Sequence, residues 1–242
     1  MHIPDGYLSP QVSAGLYVVS APFWLAAVRK VRKSLPQNHV PLLAMLSAFS
    51  FLIMMFNMPL PGGTTGHAIG GVLIAILVGP WAAVIALTLT LAVQAFFFGD
   101  GGILALGANS FNLAIVMPLM GYFLFRLIAG NAAPSSRRFS IAAAVGAYIG
   151  INIAAAAVAF ELGIQPILHH LPDGTPLYCP FHLSVTIPAM MIPHLTIVGA
   201  AEAIITGAVI KFLGTNHPEL FPSEIAAETT VKPAEEKKGG ER

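Results

Sequence analysis

Residues 61–80, PGGTTGHAIGGVLIAILVGP, decide how the chain is folded. The apolar run inside them, from His67 to Gly79, would rise only ~20 Å as a helix at 1.5 Å per residue. A bilayer core is ~30 Å thick and needs ~20 apolar residues to cross. A plain helix therefore cannot complete this crossing, and the glycines at 62, 63, 66 and 70 mark where the backbone departs from one. Gly66-x-x-x-Gly70 is a small-xxx-small spacing suited to tight helix contact in lipid. Gly79-Pro80 predicts a tight turn, with Pro80 as the first residue of the next helix.

Composition makes the same point on the scale of the whole chain. Of 242 residues 56% are hydrophobic and only 10% charged, far from the balance of a soluble domain. The expected class is all-α: a polytopic membrane protein with seven transmembrane helices, at roughly 11–28, 41–58, 67–79, 81–98, 107–128, 140–162 and 184–212. Residues 1–213 form the membrane domain, whose first ten residues precede helix one. Residues 214–242 turn to Glu, Lys, Pro and Ala without apolar periodicity and are expected to be a polar, solvated cytoplasmic tail. A net charge of +1, with no basic cluster interleaved with aromatics, leaves no footprint for nucleic acid. The single cysteine, Cys179, excludes an intrachain disulfide, and no CxxC pair is present. Residues 1–10 lack the basic and apolar regions of a signal peptide, so Met1 is expected to be the mature terminus.

Arg29, Lys30, Arg32, Lys33, Arg126, Arg137, Arg138 and Lys211 fall on one side of the predicted helices, and the opposite loops contain no Lys or Arg. The positive-inside rule makes the basic side cytoplasmic and puts the N-terminus outside. Asp5, Asp100, Asp173, His2, His67, His169, His170 and His182 then share the outer face. Such a face favours divalent cations over anions.

The chain opens MHIPDGYLSP, with an imidazole directly behind the terminal amine. Methionine ahead of a residue as large as histidine is ordinarily retained. Three nitrogens follow one another along the chain: the Met1 amine, the His2 amide nitrogen once a metal has displaced its proton, and the His2 imidazole. Amine and amide close a five-membered chelate ring; amide and Nδ1 close a six-membered one. The result is a planar claw with one vacancy, and a fourth nitrogen would complete a square-planar site of the kind preferred by Ni(II) or Cu(II). His67, at the mouth of the glycine-rich segment on the same outer side, is the candidate for the vacancy. Interrupted, short membrane segments also point to a transporter's substrate site.

MHIPDG at the start, GGTTGHAIGG around His67 and GANSFNLAIVMP around Asn109 resemble the nickel/cobalt-binding membrane subunits, the S- or M-components, of energy-coupling-factor transporters. The resemblance extends from residue 1 to about 213. It implies a six-helix core preceded by an extra N-terminal helix, and metal held by Met1, His2 and His67, the set that chelation chemistry selects. Pro4-Asp5-Gly6 followed by Leu8-Ser9-Pro10 is similar to the nickel branch, whereas cobalt members commonly read Met-Glu-Gly there. The implied substrate is Ni2+ first and Co2+ second, a transported ligand rather than a cofactor; no other cofactor is expected.

No Gly-Lys pair exists in the chain, so a P-loop is excluded and ATP hydrolysis has to come from another protein. The resemblance implies a cytoplasmic ATP-binding subunit, a transmembrane coupling protein and a small auxiliary membrane subunit. Ala44 and Ala48, one turn apart on helix two, fit either docking to the coupling protein or internal packing. Asn109 and Gly66 are candidates for the residues surrounding the metal, Asn109 through a hydrogen bond to a ligand imidazole. His194, eight residues before Glu202, reads either as a packed structural residue or as part of that surround. His169, His170, Cys179 and His182 share an outer loop at spacings that match no defined site. Two other classes were weighed: a stand-alone secondary metal transporter, and an intramembrane metallohydrolase, disfavoured because the chain has no HExxH and neither Glu161 nor Glu202 has paired histidines. The expected location is the plasma membrane.

Overall fold

The computed structural model describes residues 1–60, 64–222 and 225. Its main helices are α1 Pro10–Ser34, α2 Val40–Met54, α3 Gly71–Val78, α4 Pro80–Phe98, α5 Leu106–Ala129, α6 Arg137–Gly163 and α7 Leu183–Asn216. Among the described residues, α1, α4, α5, the stretch containing α6 and α7 are long and apolar enough to cross a bilayer. α2 has 15 residues and α3 has 8. Five of the seven helices are thus long enough to span, and the two shorter apolar helices are packed among them.

The segment between α2 and α3 departs from a purely helical fold. β1 Met58–Leu60 pairs antiparallel with β2 Thr64–Gly66, setting Met58 opposite Gly66. His67–Gly70 is not helical, and α3 begins only at Gly71. Gly66 and Gly70 therefore make no helix–helix motif. Gly70 has φ +73°, a conformation that a side chain resists, and a Cβ there would lie 3.3 Å from Ile53 Cδ1. The Glu202 carboxylate, reaching from α7, accepts the N–H of Ile69 at 2.7 Å and of Gly70 at 2.9 Å. Ser50 of α2 donates to Ile69 O at 2.7 Å. An anion at the start of α3 complements the helix dipole while satisfying otherwise unpaired N–H groups. All eight residues of α3 are buried, so this loop-plus-helix occupies the middle of the fold. Gly79, at φ +92°, makes the expected turn and Pro80 opens α4.

Glycines also bring α5 and α6 together. A Cβ on Gly146 would meet Gly121 O at 2.5 Å, and one on Gly150 would meet Met117 O at 2.8 Å, so both positions require backbone-to-backbone contact. Beyond residue 213, α7 runs on to Asn216, and Phe221 and Ile225 pack into the core. Phe221 stacks edge-on against Phe139, ring centroids 5.6 Å apart. The rest of the expected tail, 226–242, lies outside the described residues.

Candidate metal centre

The first nine residues lie against one end of the helices, turning at Asp5–Gly6, where Gly6 has φ +87°, and their odd-numbered positions are anchored in turn. The Met1 amine donates to Thr65 O at 2.8 Å and to Thr65 Oγ1 at 3.2 Å. Ile3 N donates to Asn109 Oδ1 at 2.8 Å, and Asn109 Nδ2 donates to Ile3 O at 3.0 Å. Asp5 accepts the N–H groups of Ile103, Leu104 and Ala105, just ahead of α5. Tyr7 O accepts from Cys179 N at 3.1 Å, and Ser9 N donates to Gln165 Oε1 at 3.0 Å. Ser9 Oγ also caps α1 by accepting from Val12 N. With Met1 and Ile3 held on either side of it, His2 has little freedom in where it points.

His2 points at His67. Their ring centroids are 4.7 Å apart with planes tilted by 48°, and His67 is 0% exposed. Thr65, which holds the Met1 amine, is two residues from His67, so the structure brings Met1, His2 and His67 to one place. His67 Nδ1 sits 3.2 Å from Ala68 O, while its Nε2 is buried without a hydrogen-bond partner. His2 Nδ1 lies 2.9 Å from Asp100 Oδ1, yet neither His2 nitrogen is aligned for a hydrogen bond. A neutral imidazole carries one N–H and one lone pair, so either ring nitrogen, though not both at once, is open to an incoming ion. Burial pushes the Met1 amine down to about 5, against a smaller opposing pull from Asp100. Burial likewise lowers His2, while its contact with Asp100 acts the other way. At neutral pH the amine and the His2 imidazole are therefore uncharged, and each has a lone pair for a metal. A cavity of about 220 Å³ adjoins them, lined by residues including Met1, His2, Thr65, Tyr7, Val158 and Met190. A larger cavity, about 570 Å³, lies near Pro36, the Gly79–Pro80 turn and Phe221 and touches none of these nitrogens. Among the described residues no three His, Cys, Asp or Glu side chains converge as a metal site.

Other expected roles shift. Asn109 clamps the Ile3 backbone and does not bond a ligand imidazole. Gly101, at φ +89°, allows this, since a Cβ there would lie 3.1 Å from Asn109 Nδ2 and 3.3 Å from His2 Cβ. Gly66 ends β2 opposite Met58. His194 is 0% exposed and packs in α7, with Nδ1 2.7 Å from Met190 O. Ala44 and Ala48 are exposed on α2. His169 stacks on Tyr178 and His170 faces Leu171 O, with no convergence on Cys179. Three anchoring residues escaped the sequence reading: Asp5, Thr65 and Glu202. The one available signal was cost, because a glutamate within an apolar helix demands a partner.

Asn109→Ala is expected to loosen the N-terminal segment. It leaves the buried Ile3 N–H unpaired, at about 1–3 kcal/mol, and removes a second hydrogen bond. Hydrogen exchange at residues 1–6 is expected to quicken by roughly 10-fold or more, while α6 is unchanged. Equal exchange in both proteins would mean that Asn109 holds nothing.

Several apolar spans, with an N-terminal segment packed against one end of them beside a buried histidine, define a multi-pass membrane protein. Residues 2–220 match the family described as the cobalt uptake substrate-specific transmembrane region, and the chain belongs to that family. It is 50% identical over 221 residues to the fused nickel transport protein NikMN of Rhodobacter capsulatus, covering 91% of this chain and 64% of that protein. This chain thus spans under two thirds of that relative's length. It is 44% identical to a putative metal transport protein of Methanocaldococcus jannaschii, covering 93% of this chain and 96% of the other. The crystal structure of a truncated transition metal transporter superimposes with a TM-score of 0.86 at 53% identity, covering 90% of this chain and all of that one.

Proposed function

We propose that the chain is the substrate-binding membrane subunit of an ATP-driven importer of divalent transition metal, with Ni2+ the first substrate and Co2+ the second. The observation that carries this reading is the meeting of the Met1 amine, His2 and the unpartnered Nε2 of His67 at one buried point. Met1 amine, His2 amide, His2 Nδ1 and His67 Nε2 supply four nitrogens in a square-planar arrangement, with Nδ1 exchanging its contact with Asp100 for the ion. With the basic loops cytoplasmic, this site faces outward in the plasma membrane. The energy comes from a cytoplasmic ATP-binding subunit acting through a transmembrane coupling protein, with a small auxiliary membrane subunit alongside. The exposure of Ala44 and Ala48 supports α2 as the docking helix for the coupling protein. That relatives exist as longer, fused nickel transport proteins supports a partner component working beside this one.

The test uses the free terminus. Protein carrying its tag at the C-terminus is expected to hold about one Ni2+ per chain. A peptide extension ahead of Met1, which turns the amine into an amide, is expected to remove it. A single residue inserted between Met1 and His2 is a poor control, because amine, two amides and the displaced imidazole would form a new four-nitrogen chelate. Nickel content unaffected by the extension would overturn the reading. The protonation state adds a second measurement. With the amine near 5 and therefore neutral at pH 7, binding displaces the amide proton alone. Calorimetry in buffers of different ionisation enthalpy is expected to give about one proton released per ion at pH 7. Proton competition at the amine sets in only as the pH falls through about 5.

A further inference from the structure

His67 and His194 are set up alike. A histidine that binds metal through Nε2 ordinarily donates Nδ1–H to a carbonyl or carboxylate, which fixes the tautomer and leaves the Nε2 lone pair free. His67 has Nδ1 3.2 Å from Ala68 O, and His194 has Nδ1 2.7 Å from Met190 O. In both, Nε2 is buried with no hydrogen-bond partner, and both residues are 0% exposed. Buried polar nitrogen left unpaired costs stability, so two such imidazoles in one region call for a reason.

They also occupy one region of the fold. α7 runs beside the segment from β2 to α3. Met190 lines the cavity that holds Met1, His2 and Thr65, and Glu202 holds the N–H groups of Ile69 and Gly70. Residues 190, 194, 198 and 202 are one turn apart on a single helical face. His194 therefore lies between the two contacts, alongside the part of the chain that contains His67. The helix widens into a π-helix at His194–Val198, a local irregularity that is frequent where helices carry function.

We propose that His194 is a second station for the transported ion, which His67 Nε2 and His194 Nε2 hold between them after the Met1–His2 chelate has let go. The proposal rests on His67 being a ligand of the outer site. As the claw departs, the His2 amide nitrogen takes back a proton from water and the two imidazoles remain neutral donors. The station suits a divalent transition metal in an imidazole environment and has no use for Mg2+ or Ca2+, which take oxygen ligands.

The test separates the two stations by disabling one at a time, with Ni2+ and Co2+ salts as probes of the full chain. His2→Ala keeps Met1 on Thr65 and removes the claw's imidazole. It is expected to weaken Ni2+ binding by more than the ~100-fold upper range seen when only an outer partner of a ligand is lost, and to leave a weak residual site. Adding His194→Asn, whose Nδ2 still reaches Met190 O, is expected to weaken that residual binding by at least ~10-fold further. His194→Asn alone is expected to leave the square-planar absorption and its affinity within about 3-fold of the parent, given its preserved hydrogen bond. Thermal unfolding of each variant checks that the fold survives. No residual site in His2→Ala, or a residual site indifferent to His194→Asn, overturns the proposal. So does a His194→Asn variant that loses the square-planar site itself. His2→Ala protein that binds like the parent would instead bring down the claw reading, so the two failures are distinct.

Discussion

His67→Ala is expected to leave a folded protein that purifies without nickel. Three of the four proposed nitrogens are local to the terminus and survive the change; only the donor that ties them to the membrane domain is lost. The loss is expected to exceed the ~10–100-fold that follows removal of a ligand's outer partner, because a coordinate bond goes and the chelate is left with an open position. Stability is expected to respond much less. The His67 side chain has a weak bond to Ala68 O and an Nε2 with no partner, so truncation removes an unsatisfied buried nitrogen as well as some packing. Elemental analysis of purified protein, the square-planar absorption band and a thermal melt read the three consequences separately. Retained nickel with an unchanged band would place the fourth donor elsewhere and dissolve the centre described above.

That Met1, His2 and His67 come together could be anticipated for a physical reason. Two of them are joined by bonds, so the chelate rings follow from covalent geometry, and the third lies in a run too short for a membrane helix. Gly79-Pro80 was legible likewise, since a φ of +92° followed by a proline is a local matter. What failed was non-local. Asn109 was given an imidazole partner because its place near the outer end was clear. That it grips Ile3, 106 residues earlier, depends on how the N-terminal segment is laid across α5. The pairing of Met58–Leu60 with Thr64–Gly66 was hidden in an apolar stretch that resembles the end of α2. Phe221 and Ile225 were missed because two apolar residues among polar ones show no period. α3 is shorter than a lipid-facing span because all eight of its residues are buried within the protein. The family resemblance covered the same residues as the chelation argument and was silent on those anchors.

Glu202→Ala is expected to be the most damaging single change, and its signature differs from that of His67→Ala. Glu202 is 0% exposed and accepts from Ile69 N once and from Gly70 N through both oxygens. Removing it leaves two buried N–H groups unpaired at the entrance of α3, at about 1–3 kcal/mol each. It also deletes the negative charge facing that helix's N-terminus. Gln is a poor substitute, since its NH2 group would face an N–H donor where the carboxylate presented an oxygen, so Glu202→Gln is expected to fall between Ala and the parent. Ile69 is two residues from His67, and the backbone between them has no helix to hold it. Freed from Glu202 it keeps only the Ser50 tether at Ile69 O. Metal retention is therefore expected to fall together with thermal stability in Glu202→Ala, whereas His67→Ala loses metal and keeps its stability. The two properties are joined at Glu202 because one carboxylate both starts α3 and positions the ligand ahead of it. A Glu202→Ala protein that melts like the parent would show that the N–H groups find other partners. One that melts lower yet keeps its nickel would show that His67 is held by its own surroundings rather than through Ile69 and Gly70.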